Sequence, residues 1–413
     1  MKSDLEKISA LAVYLGKRQI GIITRFTGDR YLFSFEQDYI DDPDRPTLSL
    51  SYKGRSGELF TSQRLVSKRL PPFFSNLLPE GHLRTYLAGK AGVNEEREFF
   101  LLAVLGSDLP GAVTVKPIEQ DTSPESNHEE DKDHHHGGDG ETALHFSLAG
   151  VQLKFSAIME TSGGLTIPVN GKGGSWIVKL PSNRFPAVPE NEYVIMNLAR
   201  KVGIKVPDIL LIPTQDIKGL PKDIGQIEGK ALVVKRFDRG PDHKRIHMED
   251  FAQVFSQYPE SKYKDASYAN IASILWAEAG QDSTFEFIRR LVFSITIGNG
   301  DMHLKNWSLL YPDGHKPILS PAYDLVSTIP YIPEDKLGLS FGKSSSLSTI
   351  TKDQVRRFSE TARLPVSPIW EIVNKTVSNT KESWSSFEHK NRLSPSLQKA
   401  ITDQIQGINL KVA

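Results

Sequence analysis

The first part of the chain carries hydrophobic positions at two different spacings, which predict strands followed by helices. Short apolar runs separated by glycine and charged residues are typical of strands joined by tight turns. The predicted strands span 10–15, 19–24 and 30–35. Helical spacing then covers 73–87 and 95–105, and we expect Pro79 and Gly81 to break the first of these helices. Residues 1–120 are therefore predicted to form a small α+β domain.

A second pattern combines a helix, a polar loop and a hairpin. Gly298 and Gly300 end a predicted helix whose apolar positions are Phe285, Ile288, Leu291, Val292 and Ile295. The loop, strand and turn that follow are 301–306, 307–311 and 312–314. The return strand begins at Ile318 and leads to Asp324. This arrangement predicts that Asp324 returns towards the polar loop.

Charged residues interrupt two apolar strands between these regions. The run 176–180 predicts a buried strand that carries Lys179, and lysine is almost never fully buried without a partner. The next helix begins at Glu190, so that Glu192 lies in its first turn. There Glu192 either pairs with Lys179 or stabilises the helix end. The run 231–237 predicts another buried strand that ends in charged residues.

The composition is that of an ordinary globular protein with no overall preference for nucleic acid or lipid. The 413 residues suffice for two or three domains, 38% are hydrophobic, and 50 basic residues balance 50 acidic ones. Without cysteine, the chain cannot use disulfides, thiol catalysis or cysteine-bound metals. No apolar run reaches the roughly 20 residues that cross a bilayer, and the N-terminus lacks the apolar core of a signal peptide. We expect a cytoplasmic protein without a membrane partner.

Residues 121–142 form the clearest boundary between domains. This segment has no large apolar residue and eight acidic residues, so it cannot bury enough surface to offset the entropy of ordering. The three histidines 134–136 could bind a transition metal, but flexible tracts seldom hold a site in advance. A solvated acidic linker is the preferred interpretation.

The polar loop and the residue after the hairpin carry the strongest candidate chemistry. Asp301, Asn306 and Asp324 follow the order in which protein kinases use a base, a magnesium ligand and a second metal-binding aspartate. The alternative is a polar loop that caps a helix, since Asp, Asn and Gly are common in such loops. Two carboxylates at the ends of buried strands are costly unless a cation lies between them. The pattern therefore favours a metal site and phosphoryl transfer from ATP.

Three upstream segments are candidates for binding ATP. Residues 147–154 predict a strand, a short loop and a strand, and Ala149 and Gly150 are small enough for backbone N–H groups to approach phosphates. Taken alone, the segment is better explained as an ordinary β-turn. Lys179 suits the strand lysine that contacts the α- and β-phosphates. A kinase hinge, which holds adenine, would follow at Lys235, Arg236 and Phe237, although a core position explains Phe237 equally well.

Taken in order, these motifs resemble those of the HipA family, the serine/threonine-protein kinase toxins of bacterial type II toxin–antitoxin modules. The motifs are SLAGVQLK at 147–154, WIVKLP at 176–181, VVKRFDR at 233–239, GDMHLKN at 300–306 and YDLVS at 323–327. The resemblance covers nearly the whole chain and implies an α+β, bilobal protein-kinase-like fold with a small N-terminal α+β domain and a mostly helical C-lobe. Its parts would be the N-terminal domain 1–120, the linker 121–142, the N-lobe 143–234 and the hinge with C-lobe 235–413. The long acidic linker departs from the family pattern.

The resemblance also implies a role for each motif, with ATP and Mg²⁺ as cofactors. Asp301 would be the catalytic base, and Asn306 and Asp324 would hold the metal. The segment over the phosphates would comprise Ala149, Gly150, Val151, Gln152, Leu153 and Lys154. Further contacts to ATP are expected from Lys179, Lys235, Arg236, Phe237, His303, Lys305 and Tyr323. Ser147 matches a loop serine whose autophosphorylation expels the loop, because its added charge repels the phosphates of ATP.

Members of this family phosphorylate aminoacyl-tRNA synthetases and are restrained by a helix-turn-helix antitoxin that binds operator DNA. The resemblance therefore implies a HipB-like antitoxin partner, a protein substrate, and contact with DNA only through the antitoxin. Two other functions stay open at this point. One is a small-molecule phosphotransferase of the kinase-like superfamily, and the other is a pseudokinase that acts as a DNA-bound co-repressor.

Overall fold

The described part of the chain contains three packed units. The computed structural model describes residues 5–54, 56–118, 153–159, 165–167, 174–182, 184–221, 224–225, 227–241 and 244–411. The predicted linker 121–142 lies outside the described residues, as do Ser147 and residues 149–152 of the predicted phosphate segment.

The N-terminal domain is a five-stranded antiparallel sheet covered by helices. In the order β4-β3-β2-β1-β5, its strands are β1 (Ala10–Leu15), β2 (Arg18–Phe26), β3 (Arg30–Phe35), β4 (Val66–Ser67) and β5 (Val113–Pro117). Its helices are α1 (Gln37–Asp41), α2 (Pro72–Ser75), α3 (Gly81–Ala91) and α4 (Glu98–Leu105). The three predicted strands are confirmed, and the predicted break separates α2 from α3 because Pro79 offers no backbone N–H to a continuous helix.

The N-lobe is a six-stranded sheet with one long helix against it. In the order β10-β7-β6-β8-β11-β9, the strands are β6 (Lys154–Met159), β7 (Leu165–Thr166), β8 (Trp176–Lys179), β9 (Ile209–Pro213), β10 (Ile217–Lys218) and β11 (Lys230–Lys235). The helix is α5 (Val188–Lys201), which packs against β11. Strands β6 and β8 are antiparallel, and their register places Lys154 directly opposite Lys179. Two predicted phosphate-binding lysines are thereby brought together.

The C-lobe is mostly helical, as predicted. Its strands are β12 (His247–Asp250), β13 (Ser308–Tyr311), β14 (Ile318–Leu319), β15 (Thr349–Thr351) and β16 (Asn409–Lys411). Its helices are α6 (Phe251–Val254), α7 (Tyr268–Ile274), α8 (Gly280–Thr296), α9 (Lys352–Ala362), α10 (Val366–Ser385) and α11 (Pro395–Gly407). The predicted helix over 285–295 lies within α8, and its residues Ile288, Leu291, Val292 and Ile295 are fully buried. None of the described helices is long and apolar enough to cross a membrane.

The N-terminal domain is docked on the C-lobe through polar contacts. The buried carboxylate of Glu249 in β12 accepts hydrogen bonds from the Ser49 hydroxyl (2.5 Å), the Leu50 amide (3.0 Å) and the Tyr311 hydroxyl. Lys53 and Arg69 of the N-terminal domain form ion pairs with Glu278 and Glu260 of the C-lobe. This docking brings the N-terminal domain to the edge of the cavity described next.

Candidate active site

The polar loop after α8 has the compact geometry that its sequence predicts. Gly298 ends the helix with a left-handed backbone (φ 70°), which glycine adopts without a Cβ clash. The Asn299 side chain accepts a hydrogen bond from the Asp301 amide (3.1 Å), and the Asn306 amide donates to the Asp301 carbonyl (2.6 Å). The loop is thus closed on itself, with Asp301 and Asn306 side by side.

The carboxylate of Asp301 is oriented by its neighbours. It accepts a hydrogen bond from the Tyr263 hydroxyl, and His303 Nε2 lies 4.0 Å from its Oδ1. The Tyr263 ring meets the His303 ring edge to face, with 5.0 Å between their centroids. Tyr263 lies 38 positions before Asp301 in the chain, and no short-range sequence pattern spans that distance. Its role was therefore not predicted from the sequence.

Four charged residues from different elements meet at the junction of the two lobes. Lys179 on β8 donates hydrogen bonds to Glu192 on α5 and to Asp324, and its side chain is 6% exposed. Lys154 on β6 contacts the other oxygen of Asp324 at 3.2 Å. Of the two roles left open for Glu192, the structure shows the ion pair with Lys179. This arrangement joins the N-lobe sheet, its helix and the C-lobe hairpin at one point.

The carboxylates of Asp324 and Glu192 keep Lys179 charged. Burial alone would lower the pKa of Lys179, but the carboxylates of Asp324 and Glu192 raise it above its ordinary value. Burial would likewise raise the pKa of Asp324, which Lys154 and Lys179 instead hold well below the usual range. For Glu192, burial dominates and raises the pKa of the carboxyl. Asp324 is therefore an ionised carboxylate beside two ammonium groups.

Asp324 also has an unusual backbone conformation. Its φ of 53° lies in the left-handed region, which residues other than glycine seldom adopt. Such a conformation costs on the order of 1–3 kcal/mol and is found most often at functional sites. Here it turns the chain after the hairpin so that the carboxylate faces Lys154 and Lys179.

A cavity of about 500 Å³ contains most of the predicted site residues. This volume lies within the range of small-molecule sites. The predicted site residues that line the cavity are Lys154, Lys179, Lys235, Arg236, Phe237, His303, Lys305, Asn306, Tyr323 and Asp324. The N-terminal domain supplies the opposite wall with residues that include Leu77, Leu78, Glu80, Leu105 and Leu109. The site thus lies between the lobes and is closed on one side by the N-terminal domain.

The predicted hinge is held firmly by backbone contacts. The amides of Lys235 and Arg236 donate to the carbonyls of Asp208 (2.9 Å) and Ser175 (2.8 Å), so these two N–H groups are engaged within the protein. Phe237 is half-buried and its ring centroid lies 5.6 Å from that of Tyr323. Phe237 therefore forms part of the cavity wall together with Tyr323.

His303 is a buried polar group with unused hydrogen-bonding capacity. Its side chain is 2% exposed, and neither ring nitrogen has a hydrogen-bond partner among the described residues. Burial, with help from the nearby Lys262, holds the pKa of His303 well below its ordinary value, so the imidazole is neutral. Buried polar groups in native proteins are nearly always paired. An unpaired imidazole on the cavity wall fits a bound polar ligand.

The residues present also fit a magnesium ion. The described residues contain no group of three or more His, Cys, Asp or Glu side chains that could hold a metal alone. Mg²⁺ commonly takes only one or two protein carboxylates and completes its coordination with phosphates and water. Asp324 and Asn306 line the same cavity, and the Asn306 side chain donates through its nitrogen, which leaves the oxygen as an acceptor. This donor set suits a metal that arrives with a nucleotide.

Lys305 has a different environment from the other predicted ATP contacts. Its Nζ lies 2.9 Å from Glu80 Oε1, 3.0 Å from the Asn76 carbonyl and 3.2 Å from Asn76 Oδ1. An ammonium group has three N–H donors, so these oxygens of the N-terminal domain can take all of them. No sequence pattern predicts the contacts of Lys305 with Glu80 and Asn76, because Asn76 lies 229 positions before Lys305 in the chain.

Both parts of the chain match models of known protein domains. The HipA-like C-terminal domain matches residues 146–384, and the HipA N-terminal domain matches residues 11–116. A protein of Sinorhizobium fredii named "Putative kinase Y4dM" is 47% identical over 390 residues, covering 94% of each chain. A second protein of that organism, "Putative kinase Y4mE", is 30% identical over 392 residues, covering 88% of each chain.

A solved structure has the same fold. It is the Shewanella oneidensis MR-1 toxin–antitoxin complex of HipA, HipB and operator DNA, which matches with a TM-score of 0.71 and 22% identity. The match covers 96% of this chain and 95% of the other. The bilobal kinase-like fold predicted from the motifs is thereby confirmed. With both domain families matched in order and a relative of 47% identity, the chain belongs to the HipA family.

Proposed function

We propose that this protein is an ATP- and Mg²⁺-dependent serine/threonine protein kinase. The observation that carries the proposal is the convergence of Lys179, Glu192 and Asp324 beside the loop that holds Asp301 and Asn306. Kinases use this set of groups to place the phosphates, the metal and the acceptor hydroxyl in line. The names of the two relatives, both called kinases, agree with this function.

The residues take distinct roles in the proposed reaction. Asp301 accepts the proton of the acceptor hydroxyl, and its orientation by Tyr263 prepares the carboxylate for that role. Lys179 binds the α- and β-phosphates, and Glu192 keeps the ammonium in place. Lys154 and the neutral His303 supply further polar contacts to phosphates from the cavity wall. Phe237 and Tyr323 form the apolar surface on which adenine packs.

Asp324 and Asn306 would hold the metal. When bound, Mg²⁺ neutralises charge on the phosphate oxygens during transfer. Asp324 is already a buried carboxylate that contacts two ammonium groups, so binding a metal would require no further carboxylate charge to be buried. The neutral imidazole of His303 adds no repulsion to an incoming cation.

The substrate and the biological role extend the same proposal. We propose a toxin of a type II toxin–antitoxin module that phosphorylates a protein, with an aminoacyl-tRNA synthetase as the expected substrate. A HipB-like helix-turn-helix antitoxin would be the partner, and contact with DNA would pass through it. The support is membership in the HipA family and the fold shared with a HipA that was solved together with HipB and operator DNA.

Ser147 is proposed as the site of self-limitation. It precedes the phosphate segment 149–154 in the sequence, and a phosphate on it would carry about −1.5 to −2 charges next to those of ATP. Mass spectrometry of active protein and of the Asp301→Gln variant tests this role. Phosphate on Ser147 is expected only in the active form, and its absence from active protein after long exposure to ATP would refute the switch.

The central experiment is incubation of the purified protein with labelled ATP, Mg²⁺ and bacterial lysate. A labelled protein band is expected with the wild type and absent with Asp301→Gln. Label in a soluble metabolite instead would favour the small-molecule phosphotransferase. No ATP turnover with any fraction would favour the pseudokinase co-repressor.

A further inference from the structure

A carboxylate of the N-terminal domain contacts the polar loop 301–306, called the catalytic loop from here on because it carries the proposed base. Glu80, immediately before α3, has its Oε1 2.9 Å from Lys305 Nζ and its Oε2 2.7 Å from Lys262 Nζ. Both lysine side chains are largely buried, at 14% and 10% exposure, and all three residues line the cavity. One side chain of the N-terminal domain therefore holds two segments of the C-lobe together.

The first of these segments is the catalytic loop. Lys305 directly precedes Asn306, whose side chain closes the loop on the Asp301 carbonyl at 2.6 Å. Asn76, four residues before Glu80, accepts two further hydrogen bonds from Lys305. The position of the loop is thus fixed from outside the kinase lobes.

The second segment carries the tyrosine that orients the base. Lys262 precedes Tyr263, whose hydroxyl donates to the Asp301 carboxylate. The Lys262 carbonyl also accepts a hydrogen bond from the Leu304 amide at 3.1 Å. Both segments that Glu80 holds therefore end in a contact with Asp301.

The charges around Glu80 determine the ionisation of its carboxylate. Burial would raise the pKa of Glu80, but Lys305 and Lys262 together hold it well below its usual range. Lys305 faces a second carboxylate as well, because Asp250 Oδ2 lies 3.8 Å from its Nζ. Glu260, which pairs with Arg69 at 2.6 Å, adds a further negative charge near Lys305. The Glu80 carboxylate is therefore ionised at neutral pH.

We propose that Glu80 is a positioning residue for phosphoryl transfer, acting on Asp301 through Lys305 and through Lys262 with Tyr263. The inference rests on the proposed kinase function and goes beyond it, because it makes the N-terminal domain part of the catalytic apparatus. The domain would set the geometry of the base rather than bind substrate or nucleotide through this residue.

Glu80→Gln is the first test, since it removes the charge and keeps the shape. Misplacement of a reacting group by about 1 Å costs on the order of 100-fold in rate, so we expect kcat to fall about 10- to 100-fold. The KM for ATP should change by less than about threefold, because the phosphate contacts of Lys179 and Lys154 do not involve Glu80. Glu278→Gln, which breaks the interdomain pair with Lys53 (2.7 Å), is the matched control and should leave kcat unchanged.

Two further variants separate positioning from a loss of folding. Tyr263→Phe keeps the ring contact with His303 and the interdomain contacts, and should lower kcat about tenfold with ATP affinity retained. The double variant Lys305→Met/Glu80→Gln should lower kcat little more than the more damaging single change does, because the effects of coupled groups do not add. Circular dichroism and thermal unfolding of each variant check the fold.

The outcomes distinguish this inference from the proposed function. Wild-type kcat in Glu80→Gln, additive losses in the double variant, or a raised KM for ATP with kcat unchanged would overturn the role of Glu80. Full activity of Asp301→Asn would instead overturn the kinase assignment. Loss of activity in Asp301→Asn together with an unaffected Glu80→Gln leaves the kinase standing and removes only the positioning role.

Discussion

Two clusters of buried charges border the cavity, and they differ in how completely they are paired. The phosphate-side cluster consists of Lys154, Lys179, Glu192 and Asp324. The hinge cluster consists of Asp108, Arg236, Asp238, Arg239 and Arg245. Both bury ionised groups at an interface between units of the protein. Within the described residues, the first cluster contains a left-handed backbone at Asp324 and lies near His303, a buried side chain without a hydrogen-bond partner.

The hinge cluster is saturated by the protein itself. Asp238 is bound by Arg236 and Arg239 and accepts a further hydrogen bond from the Gly111 amide at 2.8 Å. The carbonyl of Leu109 accepts from Arg239 at 3.0 Å. These contacts fasten the N-terminal domain to the hinge and leave the surplus of positive charge compensated by backbone oxygens.

The phosphate-side cluster is balanced but not saturated. Asp324 has a left-handed backbone, and the nearby His303 has no hydrogen-bond partner among the described residues. Strain and unused hydrogen-bonding groups are costly unless a ligand uses them. The comparison indicates that buried charge alone does not identify a functional site. Incomplete pairing beside a cavity, as at Asp324 and His303, is what supports the proposed site.

Removing the proposed base should have the largest effect. Asp301→Asn is expected to lower turnover by roughly 10²–10⁴-fold, the usual contribution of a positioned base, while thermal unfolding stays near that of the wild type. Asp313→Asn is a matched control, because Asp313 is an exposed aspartate that only caps the hairpin turn. Turnover above about a tenth of wild type in Asp301→Asn would contradict the assignment.

The next variant, Asp324→Ala, tests whether the phosphate-side cluster is built for a metal. In the wild type we expect Mg²⁺ to strengthen ATP binding, and in Asp324→Ala this strengthening should be lost because a metal ligand is gone. Calorimetry of ATP binding with and without Mg²⁺ measures the effect. An equal gain from Mg²⁺ in both proteins would show that Asp324 does not hold the metal.

Interdomain docking should depend on pH through Glu249. Burial raises the pKa of Glu249 to about 7, although Ser49, Tyr311 and the Leu50 amide donate hydrogen bonds to it. This pKa lies above the ordinary 4.5 of a glutamate, so proton binding by Glu249 stabilises the folded state. The stabilisation is complete below about pH 4.5 and is lost as pH rises through about 7. The loss is on the order of 3 kcal/mol.

Glu249→Gln should remove that pH dependence, since the amide does not ionise. Its oxygen can keep the hydrogen bonds from Leu50 and Tyr311, and its nitrogen can donate to the Ser49 hydroxyl. Between about pH 5 and about pH 8, which spans the raised pKa, the midpoint of thermal unfolding should change less with pH in the variant than in the wild type. Curves of equal slope would contradict the raised pKa of Glu249.

The smallest expected effect is in the hinge cluster. Asp108→Asn removes a charge that three arginines share, and should lower the free energy of unfolding by about 2 kcal/mol with kcat nearly unchanged. Asp208→Asn is the control, because its pair with Lys235 is exposed and such pairs contribute little. A large fall in kcat for Asp108→Asn without loss of stability would mean that the hinge cluster acts in catalysis as well.

Local sequence patterns determined the parts of the site that lie close together along the chain. The apolar spacing of α8, the glycine after it and the five-residue separation of Asp301 and Asn306 predicted the loop that the structure has. A lysine in an apolar run likewise predicted that Lys179 needs a partner. Such features follow from the helical and strand periods, which any short segment carries in its own residues.

Only the tertiary structure decided which distant residues complete that site. Glu192 was compatible with a helix-end role or an ion pair, and packing of α5 against the sheet selected the ion pair. Glu80 and Tyr263 reach the catalytic loop from segments with no pattern that points to it. Contacts of this kind depend on how whole domains pack. Their side chains meet because the N-terminal domain buries its surface on the C-lobe, and the periodicity of a single segment contains no information about that docking.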